Sequence, residues 1–262
     1  MKININNTKI HYKVAGNGNT IVLLHGFSES SKIWNKYTAR LSKQYQVIGI
    51  DLPGHGKSEV VKQENSMEYM AEIVKNVLDE EEVSKCVMIG HSMGGYVALA
   101  FAEKVPALLS GLCLFNSSAA ADSEEQKVNR DRTIEVIKAN HFNFLSSFIP
   151  DLFTAENQEI YKKEISKLIK GSEKMTTEGI ISSMMALRNR ANRYHVLQDI
   201  SIPVLFIAGQ QDKRVPLDKV LEQISLPKEA HVLLLKEVAH MGYIEASEQT
   251  YNAIKNFAKN CF

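Results

Sequence analysis

The apolar residues of this chain fall into short blocks, and the blocks come in two kinds. Near the N-terminus, Ile3 to Ile5 and Lys9 to Val14 alternate apolar with polar positions around Asn6-Asn7, the pattern of a half-exposed antiparallel hairpin. Six later blocks are continuous: Ile21 to Leu24, Val47 to Ile50, Cys86 to Ile89, Leu112 to Phe115, Val204 to Ala208 and Val232 to Leu235. Runs this short and this rich in Val and Ile suit strands buried on both faces of a parallel sheet. Between them, helical periodicity covers Met67 to Glu80, Met93 to Lys104, Asp218 to Ile224 and Glu245 to Lys259. Strand and helix therefore alternate, which predicts an α/β fold: a mostly parallel eight-stranded sheet with helices on both faces.

The alternation stops between Ser117 and Gln198. There Asp122 to Asn140, Glu156 to Lys170 and Thr177 to Arg190 carry apolar residues at three- and four-residue spacing, interrupted by Pro150 and Gly171, and no strand pattern intervenes. A stretch of that length is not an ordinary connection between two strands. The expected organisation is a core of residues 1–116 and 199–262, with residues 117–198 inserted as a helical lid over the strand ends.

Composition narrows the partners. With 31 Lys+Arg against 30 Asp+Glu, the formal charge of +1 supplies no field to hold a nucleic acid against salt. At 44% hydrophobic and 23% charged residues, the 262-residue chain is globular, and no apolar run approaches the roughly 18 residues of a membrane span. Cys86, Cys113 and Cys261 are an odd set without framework spacing, which points to a reducing, cytoplasmic setting. Neither C-x-x-C nor H-x-x-x-H spacing occurs, so neither a metal nor another cofactor is expected. The composition does not give the oligomeric state.

The chemistry gathers around Gly90-His91-Ser92-Met93-Gly94-Gly95, which sits directly between a strand pattern and a helix pattern. A Gly-rich turn with an idle serine gives the same bare G-x-S-x-G motif; the strand before and the helix after decide for a nucleophile held on a sharp, strained turn. A neutral hydroxyl needs a histidine base, and that base needs an acid to fix its tautomer. Of the 8 histidines, His240 alone lies just beyond a late core strand. His91 should point away from the serine, and His231 opens the last strand at its opposite end. For the acid, Asp212 follows the strand Val204 to Ala208 within Gly209-Gln210-Gln211-Asp212. The preceding strand ends in Asn116, which lacks the charge to stabilise an imidazolium. Two backbone N–H groups should hold the oxyanion of an acyl transfer: that of Met93, after the serine, and that of Phe27, in the loop His25-Gly26-Phe27 where Gly26 permits close approach.

On these residues, together with Asp51-Leu52-Pro53-Gly54-His55-Gly56-Lys57-Ser58 and His240 with Glu245, the chain resembles the α/β-hydrolase fold family, in its lidded, esterase-like serine hydrolase branch. The resemblance implies Ser92 as nucleophile, Asp212 as acid, His240 as base, and Phe27 and Met93 as oxyanion donors. It also implies that Asp51 and His55 are scaffold. Ala239 departs from the family's usual Gly before the histidine. Ser92 separates the chain from the dehalogenase and epoxide hydrolase branches, which carry Asp there. The implied activity is hydrolysis of a small-molecule acyl substrate, an ester, thioester or lactone, without cofactor. Carbon–carbon bond hydrolysis, lyase-like chemistry and perhydrolysis remain alternatives on this fold, as does a non-catalytic ligand receptor. Lid residues Phe142, Phe144, Leu145, Phe148, Met184, Met185 and Leu187 are candidates for an apolar acyl pocket or for lid core. The basic run Arg188-Asn189-Arg190-Ala191-Asn192-Arg193 reads either as a holder of a substrate carboxylate or as a solvated helix end.

Overall fold

In the computed structural model, which describes residues 1–61 and 65–262, all eight expected strands form one sheet. β1 (Lys2–Ile5) and β2 (Thr8–Ala15) pair as an antiparallel hairpin. The turn falls at Asn6 and Asn7, whose φ angles of 50° and 62° lie in the left-handed region that short amide side chains tolerate. β3 (Thr20–Leu24), β4 (Gln46–Ile50), β5 (Cys86–His91), β6 (Leu109–Phe115), β7 (Val204–Gly209) and β8 (Ala230–Leu235) run parallel, in the order β1-β2-β4-β3-β5-β6-β7-β8.

Every residue of β3, β5 and β7 is buried, as continuous apolar runs require. β8 departs from that expectation. It closes the sheet as an edge strand, with Val232 43% and Leu234 37% exposed. Periodicity cannot distinguish an edge strand from a central one, because position in the sheet depends on which strands pair.

α1 (Asn35–Leu41), too short to show a period, packs on β4. α2 (Met67–Glu80) and α3 (Met93–Lys104) fall on their expected bounds and pack on each other. Ser66 caps α2 by accepting the Tyr69 N–H at 3.1 Å. Directly after β4, Asp51 accepts the N–H groups of Ser31 at 2.8 Å and Lys57 at 2.9 Å and faces His11 Nδ1 at 3.0 Å, and His55 is buried nearby. The Asp51 to Ser58 turn is thus tied into the framework.

Five helices lie between β6 and β7: α4 (Glu124–Phe148), α5 (Ala155–Ile160), α6 (Lys162–Ser172), α7 (Thr177–Asn189) and α8 (Tyr194–Asp199). A capping box of Ser123 with Gln126 opens α4, which bends at Asn140 (φ −164°, ψ 93°) and continues to Phe148, past the expected stop. The pattern over Glu156 to Lys170 divides at Tyr161. α4 and α7 pack along each other. The C-terminal part carries α9 (Leu217–Leu221), α10 (Gly242–Glu245) and α11 (Ser247–Cys261); the single helix expected over Glu245 to Lys259 is broken at Ala246. Tyr37 of α1 and Tyr251 of α11 meet with ring centroids 5.9 Å apart. Among the described residues, no helix is long and apolar enough to cross a membrane.

Candidate active site

Ser92 stands between the last residue of β5 and the first of α3, with φ 50° and ψ −114°. A β-carbon rarely occupies that backbone region, so the surroundings must hold the residue there. They do so by close packing. The Ser92 N–H donates to the Phe115 carbonyl at 2.9 Å, and the Ser117 hydroxyl donates to the Ser92 carbonyl at 2.8 Å. A β-carbon on Gly90 would lie 2.3 Å from the Gly94 carbonyl oxygen, and one on Gly94 would lie 2.6 Å from that of Leu24. Both glycines of the motif are therefore set by the tightness of the turn.

The three residues picked out along the sequence meet at the C-terminal ends of β5, β7 and β8. His240 Nε2 lies 2.9 Å from Ser92 Oγ, and His240 Nδ1 lies 2.8 Å from Asp212 Oδ2. Asp212 is buried and also accepts the N–H groups of Arg214 at 2.8 Å and Val215 at 3.0 Å on its other oxygen. Burial alone would raise its pKa; the adjacent His240 and these donors outweigh that and bring it below the usual carboxylate range. With the carboxylate on Nδ1, the proton resides there and Nε2 faces the hydroxyl as an acceptor.

Asn116, set aside in the sequence for lacking a charge, holds Asp212 in place. Its Nδ2 donates to Asp212 Oδ2 at 2.8 Å and to the Ala239 carbonyl at 3.1 Å, from a left-handed backbone of φ 46°. Its place at the end of β6, beside β7, was the one available signal. Glu245 clamps the histidine loop from outside by accepting the Ala239 and Met241 N–H groups, each at 3.1 Å. Ala239 is not among the residues with positive φ, so its methyl group fits the loop without backbone strain.

The loop after β3 reaches the same point. A β-carbon on Gly26 would lie 3.2 Å from Ser92 Cβ. Leu52 N–H donates to His25 Nε2 at 2.9 Å, so His25 carries its proton on Nδ1 and donates it to the Gly26 carbonyl at 2.7 Å. That carbonyl shares a planar trans peptide with the Phe27 N–H, and pinning one end fixes the other. Neither the Phe27 nor the Met93 N–H donates to a protein acceptor among the described residues.

Glu29, absent from the sequence reading, is the centre of a second buried network. It accepts the Gly26 N–H at 2.6 Å and the Tyr243 hydroxyl at 2.7 Å, and it lies 3.0 Å from His91 Nδ1. His91 Nε2 faces the His240 carbonyl at 3.0 Å, where it can only donate. Burial raises the Glu29 pKa, but His91 and the two other donors hold it down at about 2; burial lowers the His91 pKa, and Glu29 more than reverses this. The pair is an ion pair. A lone Glu four residues after His25 gives no periodic signal, and only the fold brings it to His91.

A cavity of about 310 Å³ opens onto Ser92 and His240, lined on its apolar side by Phe27, Tyr96, Phe148, Leu187 and Val215. Of the candidate pocket residues, Phe148 and Leu187 line it, and Phe144 and Met184 line its neighbour. Leu145 is buried, and Phe142 and Met185 are exposed. Arg188 of the basic run stands in the last turn of α7, as the helix-end reading expects, and each arginine of the run is engaged by protein acceptors. Arg188 forks onto Asp131 at 2.6 and 3.0 Å. Buried Arg190 binds Asp122 and the Ala120 and Leu187 carbonyls over the Tyr96 ring, and buried Arg193 binds Glu68 and Glu103. Arg193 and, through the Tyr96 ring, Arg190 fasten the insertion to the core, whereas Arg188 ties α7 to α4 within it. Among the described residues, no group of three or more His, Cys, Asp or Glu could hold a metal ion.

Known proteins share this architecture. A thermophilic esterase from Thermogutta terrifontis, solved with malate bound, superposes with a TM-score of 0.93 at 26% identity, covering 100% of this chain and 98% of that one. A 2-hydroxy-6-oxononadienedioate/2-hydroxy-6-oxononatrienedioate hydrolase of Paraburkholderia phymatum is 30% identical over 95% of this chain and 90% of its own length. The acetyltransferase component of the acetoin cleaving system of Pseudomonas putida is 27% identical over 95% of this chain, which spans 66% of that protein. The family model of the alpha/beta hydrolase fold matches residues 19–247, and with the sheet order and the elbow at Ser92 this establishes that the chain belongs to the alpha/beta hydrolase fold family and is similar to its hydrolases.

Proposed function

We propose that this protein is a serine hydrolase that cleaves a small carboxylic ester, thioester or lactone through an acyl-enzyme. The observation that carries the reading is the unbroken line from Ser92 Oγ through the two ring nitrogens of His240 to Asp212, at 2.9 and 2.8 Å. Ser92 attacks the carbonyl carbon as His240 Nε2 takes the hydroxyl proton. The Phe27 and Met93 N–H groups hold the oxyanion, and Met93 also opens α3, where the helix dipole favours negative charge. The imidazolium, steadied by Asp212, returns the proton to the leaving group. Water then cleaves the acyl-enzyme, with His240 again as base.

In this reading residues 117–198 act as a lid. Supporting it, the segment contributes Phe148 and Leu187 to the cavity, and the Leu152 carbonyl accepts the His240 N–H at 3.0 Å. The free thiols of Cys86, Cys113 and Cys261 fit a reducing, cytoplasmic setting.

The test is turnover of p-nitrophenyl esters together with fluorophosphonate labelling. Labelling at Ser92 and hydrolysis abolished by Ser92→Ala support the reading; hydrolysis equal in the two proteins overturns it and leaves a binding protein on a hydrolase fold. One observation favours a second reading: the 30% identical relative is named a hydrolase of a hydroxy-oxo-dienedioate. The same triad would then cleave the carbon–carbon bond beside the attacked carbonyl, and loss of the dienoate chromophore would report it.

A further inference from the structure

The cavity at Ser92 holds charge that ester hydrolysis does not use. Arg130, Lys213 and Arg214 line it together with Ser92 and His240. Arg130 and Arg214 also line an adjoining cavity of about 210 Å³, and Thr133 and Phe148 belong to both. The two guanidiniums thus stand where the two spaces share walls.

Their counter-charges fall short. Asp122 meets Arg130 Nε at 2.8 Å but also Arg190 Nη1 at 2.6 Å, so one buried carboxylate serves two guanidiniums. Asp151 stands 4.0 Å from Arg214 and is itself 72% exposed, where water screens it. Asp212, hydrogen-bonded to a neutral His240, is the third carboxylate of the neighbourhood and attracts Arg214. Four cations (Arg130, Arg190, Lys213, Arg214) therefore stand against three carboxylates (Asp122, Asp151, Asp212), an excess of one positive charge.

Arg214 is also held in place with its donors unspent. Its backbone N–H is fixed on Asp212 Oδ1 at 2.8 Å, and its guanidinium lies over the Phe148 ring, 4.8 Å from the centroid. Among the described residues, that guanidinium donates no hydrogen bond and has only the long contact to Asp151. Its side chain is 43% exposed; partial desolvation, with Arg130 close by, lowers its pKa against the pull of Asp151 and Asp212. A planar guanidinium with a free fork matches a carboxylate, which it can bind through two parallel hydrogen bonds.

We propose that this site selects substrates carrying a carboxylate, which Arg214 and Arg130 bind while the scissile carbonyl rests at Ser92. The proposal rests on the serine hydrolase reading, and it moves anion recognition from the Arg188 to Arg193 run to residues that the fold brings to the nucleophile. The carboxylate can belong to the acyl part or to the leaving group, and two substrate pairs separate these. One pair is mono-p-nitrophenyl adipate against p-nitrophenyl methyl adipate; the other is 4-acetoxybenzoate against its methyl ester.

The expected result is a kcat/KM about 10-fold or more higher for the anionic member of at least one pair, the range a charge-assisted hydrogen bond supplies. That ratio should fall toward one in Arg214→Gln, fall less in Arg214→Lys, and shrink as salt is raised. Using the ratio within each protein cancels any general loss of activity. Ratios within about two-fold of one in both pairs, or a ratio untouched by Arg214→Gln, overturn the proposal. Turnover of the neutral esters reports separately on the hydrolase reading. Should no ester react, calorimetric titration of Ser92→Ala and of Ser92→Ala/Arg214→Gln with adipate and with 4-hydroxybenzoate tests the anion site alone: binding weakened about 10-fold or more by the second change supports it, and equal or absent binding overturns it.

Discussion

Two acid–histidine pairs lie side by side in this molecule, their imidazole centroids 5.2 Å apart, and they are put to different uses. Asp212–His240 and Glu29–His91 are both buried, with nitrogen to oxygen distances of 2.8 and 3.0 Å. The difference lies at the second ring nitrogen. His240 Nε2 opens onto the Ser92 hydroxyl, whereas His91 Nε2 is capped by the His240 carbonyl. In the proposed mechanism the first pair can pass a proton to and fro. The second cannot release one without breaking a buried bond, so it ties the loop after β3, the elbow and the histidine loop together. A carboxylate beside a histidine is thus not a catalytic signature in itself; what the free nitrogen faces decides.

Substitutions can break this contrast. The largest effect is expected for Ser92→Ala, which removes the nucleophile whose proton His240 takes and should lower kcat by about 10⁵- to 10⁶-fold, measured on p-nitrophenyl acetate. Asp212→Asn should lower kcat by about 10⁴-fold in a folded protein, because the amide favours the wrong tautomer. A near-normal rate there would remove Asp212 from its role.

Glu29→Gln sharpens the contrast, since it keeps the shape of the network and removes its charge. One oxyanion donor is worth about 10²- to 10³-fold, and loosening the Gly26 peptide should forfeit part of that, about 10-fold in kcat with KM little changed. A loss as deep as that of Asp212→Asn would mean that the two pairs are not distinct in use.

The same variant has a stability signature. Glu29 titrates at about 2 in the folded protein against its ordinary 4.5, so its contribution is complete above pH 4.5 and disappears as pH falls toward 2. His91, raised above 6.5, contributes below that value and loses its share as pH rises through its folded pKa. Urea melts should therefore show the gap between wild type and Glu29→Gln narrowing as pH is lowered from about 4.5. A gap that widens would contradict the ion pair.

The smallest effect belongs to Asn116→Ala. It removes one of several donors to Asp212 and a tie to the Ala239 carbonyl, and should cost about 1 kcal/mol, roughly 5-fold in kcat.

The sequence carried much of this before any coordinates. Gly90, Gly94 and Ser92 could be read because a strand pattern runs straight into a helix pattern, and a turn that abrupt admits few residue types. His240 and Asp212 could be read because each follows a late apolar run, and in a parallel sheet such runs end on one edge. Glu29, Asn116 and Tyr243 could not. Each is a single polar residue outside any long periodic segment, and its partner lies 62, 96 or 214 positions away in the chain. The arginines show the same limit in reverse. Arg188, Arg190 and Arg193 form a conspicuous run yet are bound by Asp131, Asp122, Glu68 and Glu103, while the inconspicuous Arg214 is the one with donors to spare.

What the sequence determined by itself was therefore local: eight strands, the principal helices, the insertion after β6 and the three residues at strand ends, all written as short-range periodicity and abrupt turns. What only the tertiary structure decided was pairing: which strand became the edge, that Glu29 met His91, and that, among the described residues, Arg214 kept its hydrogen-bond donors free. The physical reason is that periodicity reflects which face of an element is buried, a property of neighbours along the chain. Hydrogen bonds and ion pairs between loops depend on where the chain crosses itself, and that is set by the packing of the whole sheet.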